Sequence, residues 1–498
     1  MTARRSSRLR PRSRRAWLAA LVLACSAAPV RALAQEGEDE EGGFDSFAEH
    51  IANSMAPTWG GPRTPWPERR PRPEAAGVLR APLAPVAVQV GPGVEPALAE
   101  RAVDALARAH DWMARHDWPM PVPDGGYGGT AGFDLYLVPS PLPPEAPGAE
   151  PTASDEEPAP ERAAWVSYDA PVHWRALDTV DAFGVIATDR VDPARIEPCV
   201  VSTYVRGALL SHDPAEARAW RLATGDFVAF LLTGRFGCSD EGIVSQQRQS
   251  WRTWIGHAPV SGEGGALFLA MLSARTDGLT GDFIRDLWSG AAQLTWEGDE
   301  LRASPDMWQV VHTVMEVGQD PLLRLLEEMG VSRYFAGAEE RAAAANLPVL
   351  RELPDEASVP VLATTAFENL PRRFEPHGLE LEPLGSAYVL VDTAEAPPGS
   401  RLRIWLRGEY GVRWALSAVR LGEDGAERGR TRAPVRTTMP RSYIPLELTD
   451  GETARVLVVV TNLGGRLVDA DDPDDQVRSF RLILDKVVPG DEGDAPPG

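Results

Sequence analysis

Apolar positions recur with two different periods along this chain, and the change of period divides it. Val86 to Val90 reads as a short strand, and Pro96 opens a helix to about Arg115 whose apolar positions are Leu98, Ala102, Val103, Leu106 and Met113. Phe133 to Val138 alternates as a strand, and Trp165–Tyr168 and Ala182–Thr188 are two more. From Glu197 to about Gly337 the period is helical. Three helix-start signals punctuate it: Asp213-Pro214-Ala215-Glu216, which combines an N-cap, an N1 proline and an N3 carboxylate, then Ser304-Pro305 and Asp320-Pro321. After Pro354 the pattern becomes short strands separated by Gly, Pro and Asp turns: Val359–Thr364, Ala387–Val391, Leu402–Leu406, Trp414–Val419, Ser442–Leu448, Ala454–Thr461 and Ser479–Asp485. The expected fold class is α+β, an α/β-plus-helical domain over 85–350 followed by an antiparallel β-sandwich over 356–488. Residues 139–162, rich in Pro and Glu, read as an insertion, and 489–498 as a polar tail.

The first 84 residues lack this patterning. Met1 to Arg15 is basic, Ala16 to Cys25 is apolar, and Ala32-Leu33-Ala34 is a small-residue cleavage site, so residues 1–34 read as an export signal. Ser13-Arg14-Arg15-Ala16-Trp17-Leu18 is close to a twin-arginine motif, and Val22-Leu23-Ala24-Cys25 to a lipoprotein box with a bulky Leu23; cleavage after Ala34 is the preferred reading. Residues 35–84, acidic at Glu36–Glu41 and Pro/Arg-rich at Pro62–Pro73, read as mostly unfolded, except for a short helical pattern at Phe44, Phe47, Ile51 and Met55. Removing 1–34 takes the net charge from −22 to −30. So acidic a product is a poor partner for nucleic acid or anionic lipid, and no later segment is apolar for long enough to span a bilayer. The expected location is the periplasm or the exterior, with an unidentified envelope or extracellular ligand as partner.

Two cysteines remain after the signal, Cys199 and Cys238, and an oxidising compartment pairs them. Two thiols alone are too few for a metal site. Other chemistry tests poorly. Asp124-Gly125-Gly126-Tyr127-Gly128-Gly129 sits between a helix and a strand, the reverse of a phosphate loop, and reads as a flexible turn. Asp134, facing opposite to Phe133 and Leu135, reads as the acceptor for backbone donors of that turn. Among His50, His110, His116, His173, His212, His257, His312 and His377 none lies four residues from another, and no Gly-x-Ser-x-Gly elbow exists. No cofactor is implied.

The succession "PDGGYGG", "FDLYL", "AFGVIATD", two apolar helices, further helices and a sandwich containing "ARVLVVVTNLGG" resembles the secreted zincin-like metalloproteases of myxobacteria. The resemblance covers about residues 85–487. It implies that the helix after "AFGVIATD" would carry His-Glu-x-x-His and the next helix a third ligand, so that two imidazoles share one helix face toward Zn²⁺ and the glutamate activates the bound water. By order, those positions fall near Tyr204, Val205 and Ala208, with the third near Ala223, and no histidine lies between His173 and His212. The resemblance therefore implies a degenerate, non-catalytic member. Two alternatives stay open: a hydrolase with a rearranged site around His212, Glu216 and Asp226, and a carbohydrate- or surface-binding sandwich presenting Tyr410, Trp414 and Tyr443.

Overall fold

The computed structural model describes residues 63–64, 67, 69–130, 132–139, 163–174, 177–253, 264–292, 301–302, 306–315, 320–337, 349–350, 353–375, 380–435, 440–448, 452–464 and 477–490. The export signal, the Phe44–Met55 pattern, most of the 139–162 insertion and nearly all of the polar tail lie outside the described residues.

A five-stranded mixed sheet comes first. Its strands are β1 (Gly77–Arg80), β2 (Val86–Val90), β3 (Phe133–Val138), β4 (Ala164–Trp174) and β5 (Leu177–Ala187), in the order β1-β2-β3-β5-β4. The inner pairs β2/β3 and β3/β5 are parallel, and the outer pairs are antiparallel. Alternation sends Val86, Val88, Phe133, Leu135, Leu137 and Ile186 into the main apolar core, against helix α1 (Pro96–Arg115) and the helices that follow. The opposite face carries Tyr136, Val138, Phe183 and Val185.

Helices α2 (Ile196–His212) and α3 (Arg218–Thr233) fill the centre, followed by α4 (Glu241–Arg248), α5 (Ala266–Thr276), α6 (Asp282–Ala291), α7 (Met307–Met315) and α8 (Asp320–Ser332). Every residue of α2 except Glu197 and His212 is buried, as an all-round apolar helix requires. Gly207 lets α2 approach β3 closely, since a Cβ there would sit 2.3 Å from the Phe133 ring. Gly225 does the same for α3, where a Cβ would lie 2.8 Å from the Ser202 carbonyl oxygen. The left-handed Gly234 (φ 73°) ends α3.

Among the described residues nine strands then form two facing sheets, with the α+β class and the C-terminal antiparallel sheets as expected. They are β6 (Ala363–Ala366), β7 (Arg372–Phe374), β8 (Ser386–Asp392), β9 (Ser400–Gly408), β10 (Trp414–Leu421), β11 (Glu427–Arg432), β12 (Arg441–Leu448), β13 (Arg455–Asn462) and β14 (Phe480–Val487). One sheet runs β11-β10-β13-β8-β6 and the other β12-β9-β14-β7; among the described residues only the β6/β8 pair is parallel. Val389, Val391, Leu416 and Val458 of the first meet Leu402, Ile404, Leu446 and Leu482 of the second in a shared core. The outer face of the five-stranded sheet is apolar too. Tyr388, Leu390, Ala415, Val419, Leu457 and Val459 belong to the same core as the helices.

Several expectations need correction. Residues 69–84 are not unfolded: β1 pairs with β2, and Arg72 is bound by three carboxylates. Asp213 to Glu216 do not open a helix, because α3 begins at Arg218 and the buried Glu216 carboxylate is committed elsewhere. Helix α7 begins at Met307 behind Asp306, while Ser304-Pro305 lies outside the described residues. The Asp306 carboxylate accepts from the Gln309 N–H at 2.6 Å while the Gln309 side chain accepts from the Asp306 N–H, a reciprocal capping box. The strand expected at 359–364 lies at 363–366, and the Arg-rich strands β7 and β11 were not expected at all.

Candidate functional site

The helix pair is built first. Cys199, in the first turn of α2, is disulfide-bonded to Cys238, just beyond the end of α3. A second tie lies one face further round. Asp226 of α3 accepts from Ser202 Oγ at 2.6 Å and from Arg206 Nη2 at 2.6 Å, all three groups buried. Thr203 satisfies its hydroxyl on the Cys199 carbonyl, and Ser211 on the Val180 carbonyl of β5.

Tyr204, Val205, Ala208 and Ala223, the positions where the resemblance would place zinc ligands, all lie in the main core. Tyr204 is wholly buried, packs edge-on against Phe133 and shares a 2.7 Å hydrogen bond with His110 Nδ1. Burial pushes the Tyr204 phenol far up, and burial draws His110 down against the opposing influence of Asp111. Both are therefore neutral at neutral pH. A valine, two alanines and a neutral phenol do not fit a zinc ion. Among the described residues no group of three or more His, Cys, Asp or Glu could hold a metal.

His212 ends α2, Glu216 lies in the bend before α3, and Asp226 lies within α3. The Glu216 carboxylate accepts from the N–H groups of Ala217 (2.9 Å) and Met307 (2.8 Å), while Asp226 serves Ser202 and Arg206. Burial, then the nearby Asp213 and Asp306, push Glu216 well above the usual carboxyl range. Its carboxyl joins the backbone at the start of α3 to the N-terminus of α7. Burial likewise lowers the pKa of His212.

A polar constellation that was not foreseen occupies the outer face of the mixed sheet. Arg72 lies there with all three guanidinium nitrogens engaged. Nη2 bonds Asp124 (2.7 Å), Nη1 bonds Asp134 (2.8 Å) and Nε bonds Asp169 (2.6 Å). The Phe183 ring lies 4.8 Å from its Cζ. Each carboxylate is aimed by the body of the fold. Asp134 gives its other oxygen to Gln89 Nε2 and Thr130 Oγ1, both at 3.0 Å. Asp124 accepts from the N–H groups of Gly126 (2.8 Å) and Gly128 (3.2 Å). Asp169 sits at a bulge in β4 where Asp181 accepts from the N–H groups of Asp169 and Ala170. Gly128 has no alternative residue, because a Cβ there would collide with Asp134 and Arg72.

The glycine turn is thus a wall of this pocket rather than a slack loop. Asp124, not Asp134, takes its backbone donors. Burial tends to lower the Arg72 pKa, but hydrogen bonds to Tyr136 and Asp169 outweigh it and the net shift is upward. For Asp134, burial raises the pKa more than Gln89, Arg72 and Thr130 hold it down. The only sequence signals were Pro71-Arg72-Pro73 and acidic residues at odd positions of apolar strands.

On the sandwich, Trp414 is buried and donates to the Glu409 carbonyl, so it is not a surface aromatic. Tyr443 is exposed and stacks on Trp405 at 5.1 Å, with Arg403 over the Trp405 ring, while Tyr410 stands apart on the loop after β9. An open cleft of about 820 Å³ at one end of the sandwich is lined by Thr393, Pro398, Glu423, Asp424, Arg428 and Glu452, with Arg428 already paired to Asp424.

No family model matches the chain, and no curated protein matches it. Among solved structures, one match is a surface-associated copper-binding protein, CorA, important in copper acquisition by Methylomicrobium album BG8. It is 9% identical, with 26% of this chain and 98% of that chain covered and a TM-score of 0.18. Another is the T13 viral particle of IBDV, 18% identical, covering 24% of this chain and 29% of that one at a TM-score of 0.14. Superpositions this poor carry no argument about fold or function.

Proposed function

We propose that the chain is an exported, non-catalytic zincin-like protein with a binding or structural role in the cell envelope or outside the cell. One observation carries the reading: Tyr204, Val205, Ala208 and Ala223 are packed as core, and the one polar group among them is consumed by His110. A peptidase centre needs imidazole and carboxylate donors around an open position, and these positions supply neither. The disulfide and the Arg206–Asp226 bridge then act as clamps on a structural helix pair. Incubating purified protein with zinc and an unfolded protein substrate tests this. Unchanged substrate is expected; hydrolysis that a chelator abolishes would sink the reading.

The stacked Tyr443–Trp405 pair favours a second reading, in which the four-stranded sheet contacts a carbohydrate or another surface. Deleting the sandwich would strip the helical core of its cover, so Tyr443→Ala is the better probe. Unaltered retention on polysaccharide resins would count against this reading.

A further inference from the structure

The Arg72 pocket lies on a different part of the fold from the helix pair, and its chemistry is independent of whether the chain is catalytic. Three features separate it from an ordinary salt bridge. The first is that the acceptors are prearranged. Gln89, Thr130 and the amides of Gly126 and Gly128 hold Asp134 and Asp124, and Asp181 shapes the bulge bearing Asp169; none of these belongs to the segment that brings Arg72. What remains is a fork of carboxylate oxygens over an aromatic plate, matched to the planar, three-nitrogen guanidinium and poorly matched to an ammonium.

The second is how the segment around Arg72 is held. It forms no strand ladder with the sheet among the described residues. Instead, side chains of β4 read its backbone. The Arg70 N–H donates to Ser167 Oγ (2.8 Å), Ser167 Oγ donates to the Arg70 carbonyl (3.2 Å), and Tyr168 Oη donates to the Pro67 carbonyl (2.9 Å). Arg70 also lies over the Trp165 ring at 5.8 Å. Arg69, Arg70 and Pro71 are exposed, so the segment lies on the surface rather than within it. This is how proteins hold a docked peptide. The third is in the sequence: Pro71 and Pro73 flank Arg72 and preset the extended backbone that presents it, which lowers the ordering cost of docking.

We propose that the outer face of the mixed sheet is a receptor for an extended, proline-flanked arginine segment of a partner protein, and that Pro67 and residues 69–72 occupy it as a tethered ligand. Ser167 and Tyr168 read the backbone, Trp165 lies under the Arg70 guanidinium, and Asp124, Asp134 and Asp169 read the arginine. A tethered occupant competes at an effective concentration of about millimolar, so the intact chain masks the receptor until the tether is displaced or cut.

The test uses the full chain carrying Arg72→Ala or Arg72→Lys and a fluorescein-labelled peptide of the sequence Trp66–Ala75, followed by anisotropy. Saturable binding is expected for the R72A variant, at least about ten-fold tighter than for the wild type. An intermediate affinity is expected for R72K, which keeps a cation for the carboxylates and so preserves the fold. Adding Asp134→Asn to R72A, or placing Lys at the position of Arg72 in the peptide, should abolish the gain. If R72A does not fold, R72K alone decides the matter. A folded R72A or R72K variant that binds the peptide no better than the wild type overturns the proposal, as does a gain that survives Asp134→Asn.

Discussion

Removing the Cys199–Cys238 bridge should be the most damaging change to the helix pair that leaves its polar contacts in place. The bridge closes a loop with a sequence separation of 39 residues. In the chain-entropy treatment, a loop of that size restrains the unfolded chain by about 4 kcal/mol at 25 °C. Cys199 is also fully buried in the main core, so Cys199→Ala adds roughly 1 kcal/mol of lost packing. Arg206, Asp226 and Ser202 keep α2 and α3 in register, so the double variant Cys199→Ala/Cys238→Ala should fold but be about 4–5 kcal/mol less stable. Urea unfolding followed by tryptophan fluorescence measures this. The wild type in reductant should lose only the loop share, and the double variant should not respond to reductant. A double variant within about 1 kcal/mol of the wild type would refute the reasoning, since loop closure alone accounts for more than that.

Three further outcomes follow from the packing. Glu216 has its folded pKa raised by burial and by Asp213 and Asp306, so its proton stabilises the fold at low pH, and that stability is lost as the pH rises above 4.5 toward the raised value. Glu216→Gln gives up one acceptor, about 1 kcal/mol, but removes the slope, so urea midpoints of the two proteins should converge with rising pH; parallel curves would contradict this. Gly207→Ala forces a methyl within 2.3 Å of the Phe133 ring and should cost about 1–3 kcal/mol in the same assay, whereas an unchanged midpoint would mean that α2 and β3 are not in close contact. Arg333→Met leaves the carbonyls of Gln246 and Ser250 and the side chain of Gln247 without their donor, and a loss of about 3 kcal/mol is expected; a neutral result would show that the buried guanidinium is dispensable.

Periodicity made the α+β class, the central helices and most sandwich strands legible, because each buries a continuous apolar face. It failed where polar residues do structural work. The Arg-rich strands β7 and β11 carry no apolar alternation, and they lie at or next to sheet edges where polar side chains reach solvent. Asp213-Pro214-Ala215-Glu216 has the letters of a helix start, yet tertiary demand for the Glu216 carboxylate at Met307 displaced the start to Arg218. Asp306 and Gln309 offered the same capping pattern within the chain and went unread. The Arg72 pocket was invisible for a different reason. Its donors and acceptors come from residues 72, 124, 134 and 169, and only the folded sheet brings them together. Around Arg72 itself, a Pro/Arg-rich stretch looks the same whether it is a linker or a ligand.

The central claim, that the α2–α3 centre is structural core and not a metal site, is tested most directly by metal stoichiometry. The purified protein would be dialysed against excess zinc, freed of loose ions by gel filtration and analysed for bound metal beside the Tyr204→Phe variant. Zinc far below one equivalent in both is expected. One equivalent of zinc in the wild type that falls in Tyr204→Phe would contradict the account, because it would place a ligand where the packing leaves only core.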